Sequence, residues 1–524
     1  MKHLKSTFNR FTATSAYVPC ALLLANLVAF GLLIPYLGYY QDDWHFVYYA
    51  YTRGAAGLWE LFNYDGHPLS AWSYVLGFQL LGFKPVFWHL ASLMWRFLAA
   101  LAFWLCIAEL WPQHRKSTFA AALIFTVYPV FSLQPQAMSY IEVWMSYFLL
   151  NLSFYFTVRA ARHPEKFLRF AFLAFGLKII HLFTTEYFAG LELIRPVLIF
   201  IALRETRQKS NGRNLRGVLA QWSPYILASG SLIIWRTFFY VSPFAKQNAP
   251  ILIRNLISHP LDTFAHLVLS FIPDLVLLLT SPWANVFKPE LFDFTTRINF
   301  LFFCIAVGVG ALFWSFQSRT DPAPEPPSKA WPGEALILGG LALGLGMLPA
   351  YAANYFIHTE NPPWGSRFSI PAMFGAALIA VAIMNLLVSS GRARNVLVAV
   401  LFGLSVNWHL NNANAFRLVW QKQTRFFEQL TWRAPGIQPD TAIITEQEVL
   451  SFMGDYPMAF AINSMYADRM ASTGKTIPYW YFSLTGNFSD KLDDFMNGMP
   501  IGAKKFSVRF SGDSTRNLIV AFEP

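Results

Sequence analysis

YVPCALLLANLVAFGLLIPY, residues 17–36, carries no charged side chain. As a helix it is long enough to cross a bilayer, because about 20 residues at 1.5 Å each cover a hydrocarbon core of roughly 30 Å. The basic segment MKHLKSTFNRF stands before it. No small-residue cleavage site follows, so the run reads as a retained first helix and not as a removed signal peptide.

Similar apolar runs follow at about 86–111, 118–133, 140–158, 168–185, 187–203 and 217–240, and again at about 298–317, 335–356, 368–390 and 395–410. These amount to roughly 11–12 transmembrane helices. The segment 264–282 is interrupted by Pro273 and Asp274 and reads as a re-entrant or interfacial helix. Composition agrees, since 55% of the 524 residues are hydrophobic and only 13% are charged, about half the charge of an ordinary soluble domain. Cys20, Cys106 and Cys304 lie in apolar stretches without CxxC spacing and read as small buried hydrophobes.

The net charge of +11 follows from basic loops between spans, and no nucleic acid is expected as a partner. Lys2, Lys5, Arg10, Arg115, Lys116, Arg159, Arg162, Lys166 and Arg169 fall on one side. Arg204, Arg207, Lys209, Arg213, Arg216, Arg319, Lys329, Arg392 and Arg394 join them. The longer opposite loops carry fewer: Arg53, Lys84, Lys246, Arg254, Lys288, Arg297 and Arg367. The positive-inside rule then places the N-terminus in the cytoplasm. It places the loop 39–85 and the tail 411–524 outside a cell membrane crossed many times. Residues 1–410 form the membrane domain. The tail has soluble composition, with a strand at 441–445 (TAIIT) and an expected hairpin of KFSVRF and LIVAF. The fold class is an all-α polytopic membrane bundle with a small α+β extracytoplasmic domain. PAPEPP at 322–327 reads as a stiff extended loop.

The chemically richest segment is Tyr39-Tyr40-Gln41-Asp42-Asp43-Trp44-His45-Phe46. Two adjacent carboxylates just past a span are costly to desolvate without partners. They read either as a solvated turn that caps the next helix or as a site. Arg53, then Asn63-Tyr64-Asp65-Gly66-His67, then Lys84 follow in the same loop. Acids, a histidine and cations on one membrane surface suit group transfer from a lipid-linked phosphate, with a carboxylate base and cations on the leaving phosphate. Asp42, Asp43 and His45 could also hold a hard cation. No spacing demands one, so no metal site is assigned and a divalent cation stays open. Arg96, Lys178, Arg195 and Arg236 fall in or near spans, where Glu109, Glu186 and Glu192 are available as structural partners.

An acidic pair directly after the first span, inside a long first loop, resembles the GT-C class of membrane glycosyltransferases. The likeness is greatest to the dolichyl-phosphate-mannose–protein mannosyltransferase family and its bacterial relatives. Tyr128-Pro129, Ser139-Tyr140-Ile141-Glu142-Val143-Trp144, Thr185-Glu186 and Gly365-Ser366-Arg367-Phe368 agree with that pattern, which extends over about residues 15–390. The resemblance implies inverting transfer of a sugar from a polyprenyl-phosphate donor to a glycan, lipid or protein acceptor on the outer face. Asp43 or Asp42 would be the base, with a slight preference for Asp43. Glu142 would be a second acid near the acceptor, and Glu186 another acid on that side. Arg53, His67, Lys84 and Arg367 would bind donor phosphate or sugar. A polytopic transporter or lipid-linked-sugar flippase is the main alternative, and a non-catalytic scaffold presenting the tail is another.

Overall fold

A computed structural model describes residues 17–206, 211–240, 251–319, 330–360, 363–439, 441–445, 449–467 and 477–483, with the strand pieces 501–502, 509–510 and 518–519. Lys2, Lys5, Arg10, Arg207, Lys209, Lys246, Lys329 and the PAPEPP stretch lie outside the described residues. Among the described residues, nine helices are long and apolar enough to cross a membrane. They are Tyr17–Tyr36, Pro85–Leu110, Ala137–Arg162, Pro164–Thr184, Leu215–Ile234, Pro260–Phe292, Arg297–Ser315, Trp331–Ala352 and Gly391–Arg433. The chain is a multi-pass, helical membrane protein.

Three of the expected spans are shorter as helices. The 118–133 run forms Arg115–Val127, 13 residues, and stops at Tyr128, which Pro129 holds out of helical geometry. The 187–203 run splits into a 3-10 helix, Glu186–Ile194, and an α-helix, Arg195–Thr206. The 368–390 run contributes Met373–Leu387, 15 residues.

The interruption expected at Pro273–Asp274 does not occur, for Pro260–Val286 is one helix of 27 residues. Asp274 is fully buried and its carboxylate is satisfied by neighbours. It accepts from the Tyr351 hydroxyl at 3.0 Å, the Ile357 amide at 3.0 Å, the His358 amide at 2.7 Å and His358 Nδ1 at 2.8 Å. A buried carboxylate with that many donors needs no water, so the helix continues through it.

The chain divides into two compact units, residues 1–32, 90–134 and 141–412 in the first and residues 33–89, 135–140 and 413–524 in the second. The first loop and the tail therefore cluster in one unit.

In the first unit the charged residues inside apolar helices have partners. Glu192 accepts from Lys178 Nζ at 2.9 Å, from Arg195 Nη2 at 2.7 Å and Nε at 2.8 Å, and lies 2.9 Å from His181 Nε2. Lys178 also donates to Ser229, and Arg195 to Ser153. Among the described residues Arg96 has no acidic partner. Its guanidinium sits 3.8 Å from the Phe30 ring centre and 4.3 Å from that of Trp144, and it donates to Gln134 Oε1 and the Thr126 carbonyl. Aromatic faces and neutral acceptors thus replace an ion pair there.

In the second unit the tail folds on a three-stranded sheet in the order β2-β1-β5, with β1 at Thr441–Thr445, β2 at Tyr479–Ser483 and β5 at Leu518–Ile519. Both pairings are parallel, running Thr441↔Tyr479 to Thr445↔Ser483, and Ile443↔Leu518 to Ile444↔Ile519. Alternate residues serve two cores, as period-2 geometry requires. Ile443, Tyr479 and Tyr481 pack with Met458 and Ile462 of the Asp455–Met465 helix and with Phe426, Phe427 and Leu430. Ala442, Ile444, Trp480 and Phe482 pack with Tyr48 and Phe460. A sheet buried on both faces suits parallel strands. The expected KFSVRF–LIVAF hairpin is not what the described residues form. Arg509–Phe510 (β4) pairs antiparallel with Ile501–Gly502 (β3), whereas Leu518–Ile519 completes the buried parallel sheet.

The Glu192 cluster sets a stability prediction for the bundle. Glu192→Ala leaves Lys178 and Arg195 buried without a counter-charge, which costs about 3–5 kcal/mol. Thermal unfolding of the detergent-solubilised protein should show a large fall in Tm, with Glu192→Gln falling less. An unchanged Tm in the alanine variant would contradict the network.

Candidate active site

The second unit organises the Asp42-Asp43 segment. The chain leaves Gly38 against Trp420, where a Cβ would stand 1.9 Å from the indole, so no side chain fits. Tyr39 and Tyr40 then point inward and are buried, donating to the Phe83 and Phe416 carbonyls at 2.8 and 3.0 Å. Gln41 takes a left-handed backbone, φ 45°, an unfavourable state for a residue with a side chain. Contacts to the tail hold it there. Its amide meets Met453 Sδ at 3.3 Å, its side-chain oxygen accepts from the Gly454 amide at 3.2 Å, and its side-chain nitrogen donates to the Tyr456 hydroxyl at 3.3 Å.

This turn gives the two adjacent acids different surroundings. Asp43 is 1% exposed. Its Oδ1 accepts from the Ser139 amide at 2.8 Å and hydroxyl at 2.6 Å, and its Oδ2 from the Tyr40 amide at 3.1 Å. Burial pushes its carboxyl up to about 7 against these hydrogen bonds, and the Asp42 charge adds to the rise. Asp42 keeps 28% of its side chain exposed and accepts a hydrogen bond from the Tyr456 hydroxyl.

The helix that follows is reversed within itself. An unbroken helix over Asp43–Tyr64 would be about 33 Å long and would carry its two ends far apart. Gly54 adopts φ 60°, ψ −144°, open to glycine and strained for other residues, and folds the segment back. Phe46 and Phe62 then stack at 5.3 Å, and Asp65 returns to the start of the helix. His45 is 1% exposed. Its Nδ1 lies 3.9 Å from Asp42 Oδ1 and its Nε2 lies 3.7 Å from Asp65 Oδ2. Neither ring nitrogen has a hydrogen-bond partner among the described residues.

The other expected site residues are placed as follows. Arg53 Nη1 donates to Glu60 Oε2 at 2.6 Å. His67 is half-buried in the turn after Asp65, and Lys84 is exposed. Glu142, Glu186 and Arg367 belong to the first unit. Glu142 is half-buried on the Ala137–Arg162 helix. Glu186 pairs with Arg236 at 3.1 Å. Arg367 lies over the Phe368 ring at 4.6 Å, and its carbonyl accepts from the Tyr187 hydroxyl. The structure thus gathers Asp42 and Asp43 with His45, Asp65, Ser139 and Tyr456. Among the described residues, no group of three or more His, Cys, Asp or Glu side chains is placed to hold a metal ion.

Tyr456 is the residue that sequence reasoning missed. It sits in a tail with no motif, 414 positions from Asp42, and no local pattern marks it. Asp65 was visible in the loop, but its return to His45 depends on the reversal at Gly54.

No family model matches the chain, and no curated protein matches it.

The Asp43 environment predicts a pH-dependent stability. The folded carboxyl keeps its proton up to about pH 7, whereas the unfolded one releases it near 3.8. Between these values the folded state binds more protons, so stability falls as pH rises from about 4 to 7 and is level above. Asp43→Asn should remove this component of the Tm-versus-pH curve. A variant curve parallel to wild type across that window would contradict the assignment.

Proposed function

We propose that the protein is a GT-C-like glycosyltransferase that moves a sugar from a polyprenyl-phosphate donor to an acceptor on the extracytoplasmic face, with inversion and with Asp42 as base. The observation that carries this reading is the contrast between the two acids. Asp43 spends both oxygens on Ser139 and the Tyr40 amide, which makes it the clasp of the turn. Asp42 is partly exposed beside a buried histidine and a phenol. A base must reach the acceptor proton, and Asp42 has the exposure to do so. The base role therefore moves from Asp43, the slight preference from sequence, to Asp42.

The one-sided topology has support within the second unit. Its residues 33–89 and 413–524 share one compact unit, which supports reading the first loop and the tail as lying on the same side of the membrane. By the positive-inside count that side would be the outer one. Within the second unit, donor phosphate would meet Lys84, Arg53 and His67. Arg53 already holds an ion pair, so a phosphate would have to compete with Glu60.

One observation favours a transporter or lipid-linked-sugar flippase instead. Lys178, Arg195 and Glu192 are charged groups buried in the helical unit, where transporters place ion and substrate sites. Their mutual pairing argues for a structural role.

The test uses purified protein, radiolabelled polyprenyl-phosphate hexoses and pentoses, and a membrane fraction as acceptor. Wild type should transfer label and release polyprenyl phosphate. Asp42→Asn should lose about 10²–10⁴-fold in rate with its Tm retained. Wild-type rates in Asp42→Asn would remove Asp42 from the chemistry.

A further inference from the structure

A buried imidazole with both nitrogens unsatisfied is expensive, because each orphaned polar atom forfeits its hydrogen bond to water. His45 is such a group, and its surroundings are one-sided in chemistry. Asp42 Oδ1 faces Nδ1 at 3.9 Å and Asp65 Oδ2 faces Nε2 at 3.7 Å. Among the described residues the rings of Phe46 at 4.2 Å, Phe460 at 5.8 Å and Tyr456 at 6.4 Å also lie against it. Asp42 comes from the turn before the helix, Asp65 from the end of the reversed helix, and Tyr456 from the tail. All three are titratable groups, and they reach the ring from three different parts of the second unit. Aromatic walls exclude water from the imidazole, while Asp42 and Asp65 remain 28% and 23% exposed.

We propose that Asp42, His45 and Asp65 form a proton relay, in which His45 carries the proton taken by Asp42 inward and Asp65 passes it to solvent. The proposal rests on the glycosyl-transfer reading. The distances are those of an open chain, and closing each gap by about 1 Å makes two hydrogen bonds, as catalytic contacts commonly tighten when substrate binds. In the reacting complex the acceptor oxygen attacks the anomeric carbon and its O–H bond breaks. The bond from that carbon to the phosphate oxygen breaks with its electron pair staying on phosphate. The acceptor proton goes to Asp42, then to His45 Nδ1, as the proton on Nε2 moves to Asp65 and from there to water. The net result is one proton from acceptor to solvent, with Asp42 restored as carboxylate. Between turnovers His45 returns to its starting tautomer by proton exchange through the two partly exposed carboxylates, which reach the water that the ring does not. His45 is here a positioning and relay residue, since it acts through Asp42.

The experiment measures kcat, KM and pH profiles for transfer from the radiolabelled polyprenyl-phosphate sugars in wild type, His45→Gln, His45→Ala, Asp65→Asn and the double variant His45→Gln/Asp65→Asn. The relay predicts that His45→Gln and Asp65→Asn each lower kcat about 10–100-fold with KM held, and that both alter the same limb of the pH profile. The double variant should lose little more than either single one, because the two residues act as a unit. Added imidazole should restore part of the His45→Ala rate, which a packing role would not produce. Asp65, partly exposed, gives a variant with little risk to folding. Wild-type kcat and pH profile in both His45→Gln and Asp65→Asn, or losses that follow Tm and ignore imidazole, overturn the relay. If Asp42→Asn is inactive while these variants are normal, the relay alone fails. If wild type releases no polyprenyl phosphate, the transferase reading fails and the relay falls with it.

Discussion

The site depends on the hydrogen bonds that Asp43 makes. One carboxylate takes the Ser139 amide and hydroxyl and the Tyr40 amide, tying the turn after the first span to residue 139, which is distant in sequence. A carboxyl buried this deeply is held by several hydrogen bonds at once, which offset part of the cost of its burial. With that anchor in place, Gln41 accepts its left-handed backbone, and Asp42 is left at the surface facing Tyr456. The two acids are adjacent in sequence and opposite in environment.

Burial of polarity runs through the whole chain. In the first unit, Glu192 gathers Lys178, His181 and Arg195, Asp274 gathers the amides and side chains of 351–358, and Arg96 rests between Phe30 and Trp144. Each is a local answer to the cost of charge in an apolar medium. Because these groups satisfy one another, they hold helices in place. The Asp42–His45–Asp65 group differs, for its histidine is buried yet bonded to neither carboxylate. Among the described residues His45 is a buried histidine with both ring nitrogens unsatisfied, and such a group calls for an explanation in chemistry or strain.

Much of the bundle was legible because hydropathy over a spanning length is a strong signal. The Tyr17–Tyr36 and Pro85–Leu110 helices fall where the apolar runs put them. Ends set by Pro129, and the change to 3-10 geometry at Glu186–Ile194, were not visible in hydropathy, which does not register backbone shape. Pro273 and Asp274 misled for a related reason, since Asp274 is satisfied by residues more than 70 positions away. Glu192 was legible as one of several acids available to the buried cations, and its three-residue spacing from Arg195 is what lets the two share a face and pair. The Asp42-Asp43 pair stood out as chemistry in an apolar context, but only tertiary contacts separate its members. Ser139 and Tyr456 make that separation, and the Gly54 reversal that returns Asp65 to His45 has no periodic signature. The tail strand TAIIT was readable from its β-branched residues, whereas the partner of Leu518–Ile519 depended on which sheet edge was open.

The central claim is that the chain does covalent chemistry on a lipid-linked sugar and does not merely move it. The most direct measurement places the purified protein in liposomes with a radiolabelled polyprenyl-phosphate sugar and a membrane fraction as acceptor, and follows the fate of the donor by chromatography. The account predicts cleavage of the sugar–phosphate bond, with polyprenyl phosphate appearing in step with lost donor. Intact donor appearing on the opposite leaflet, with no polyprenyl phosphate released, would contradict it.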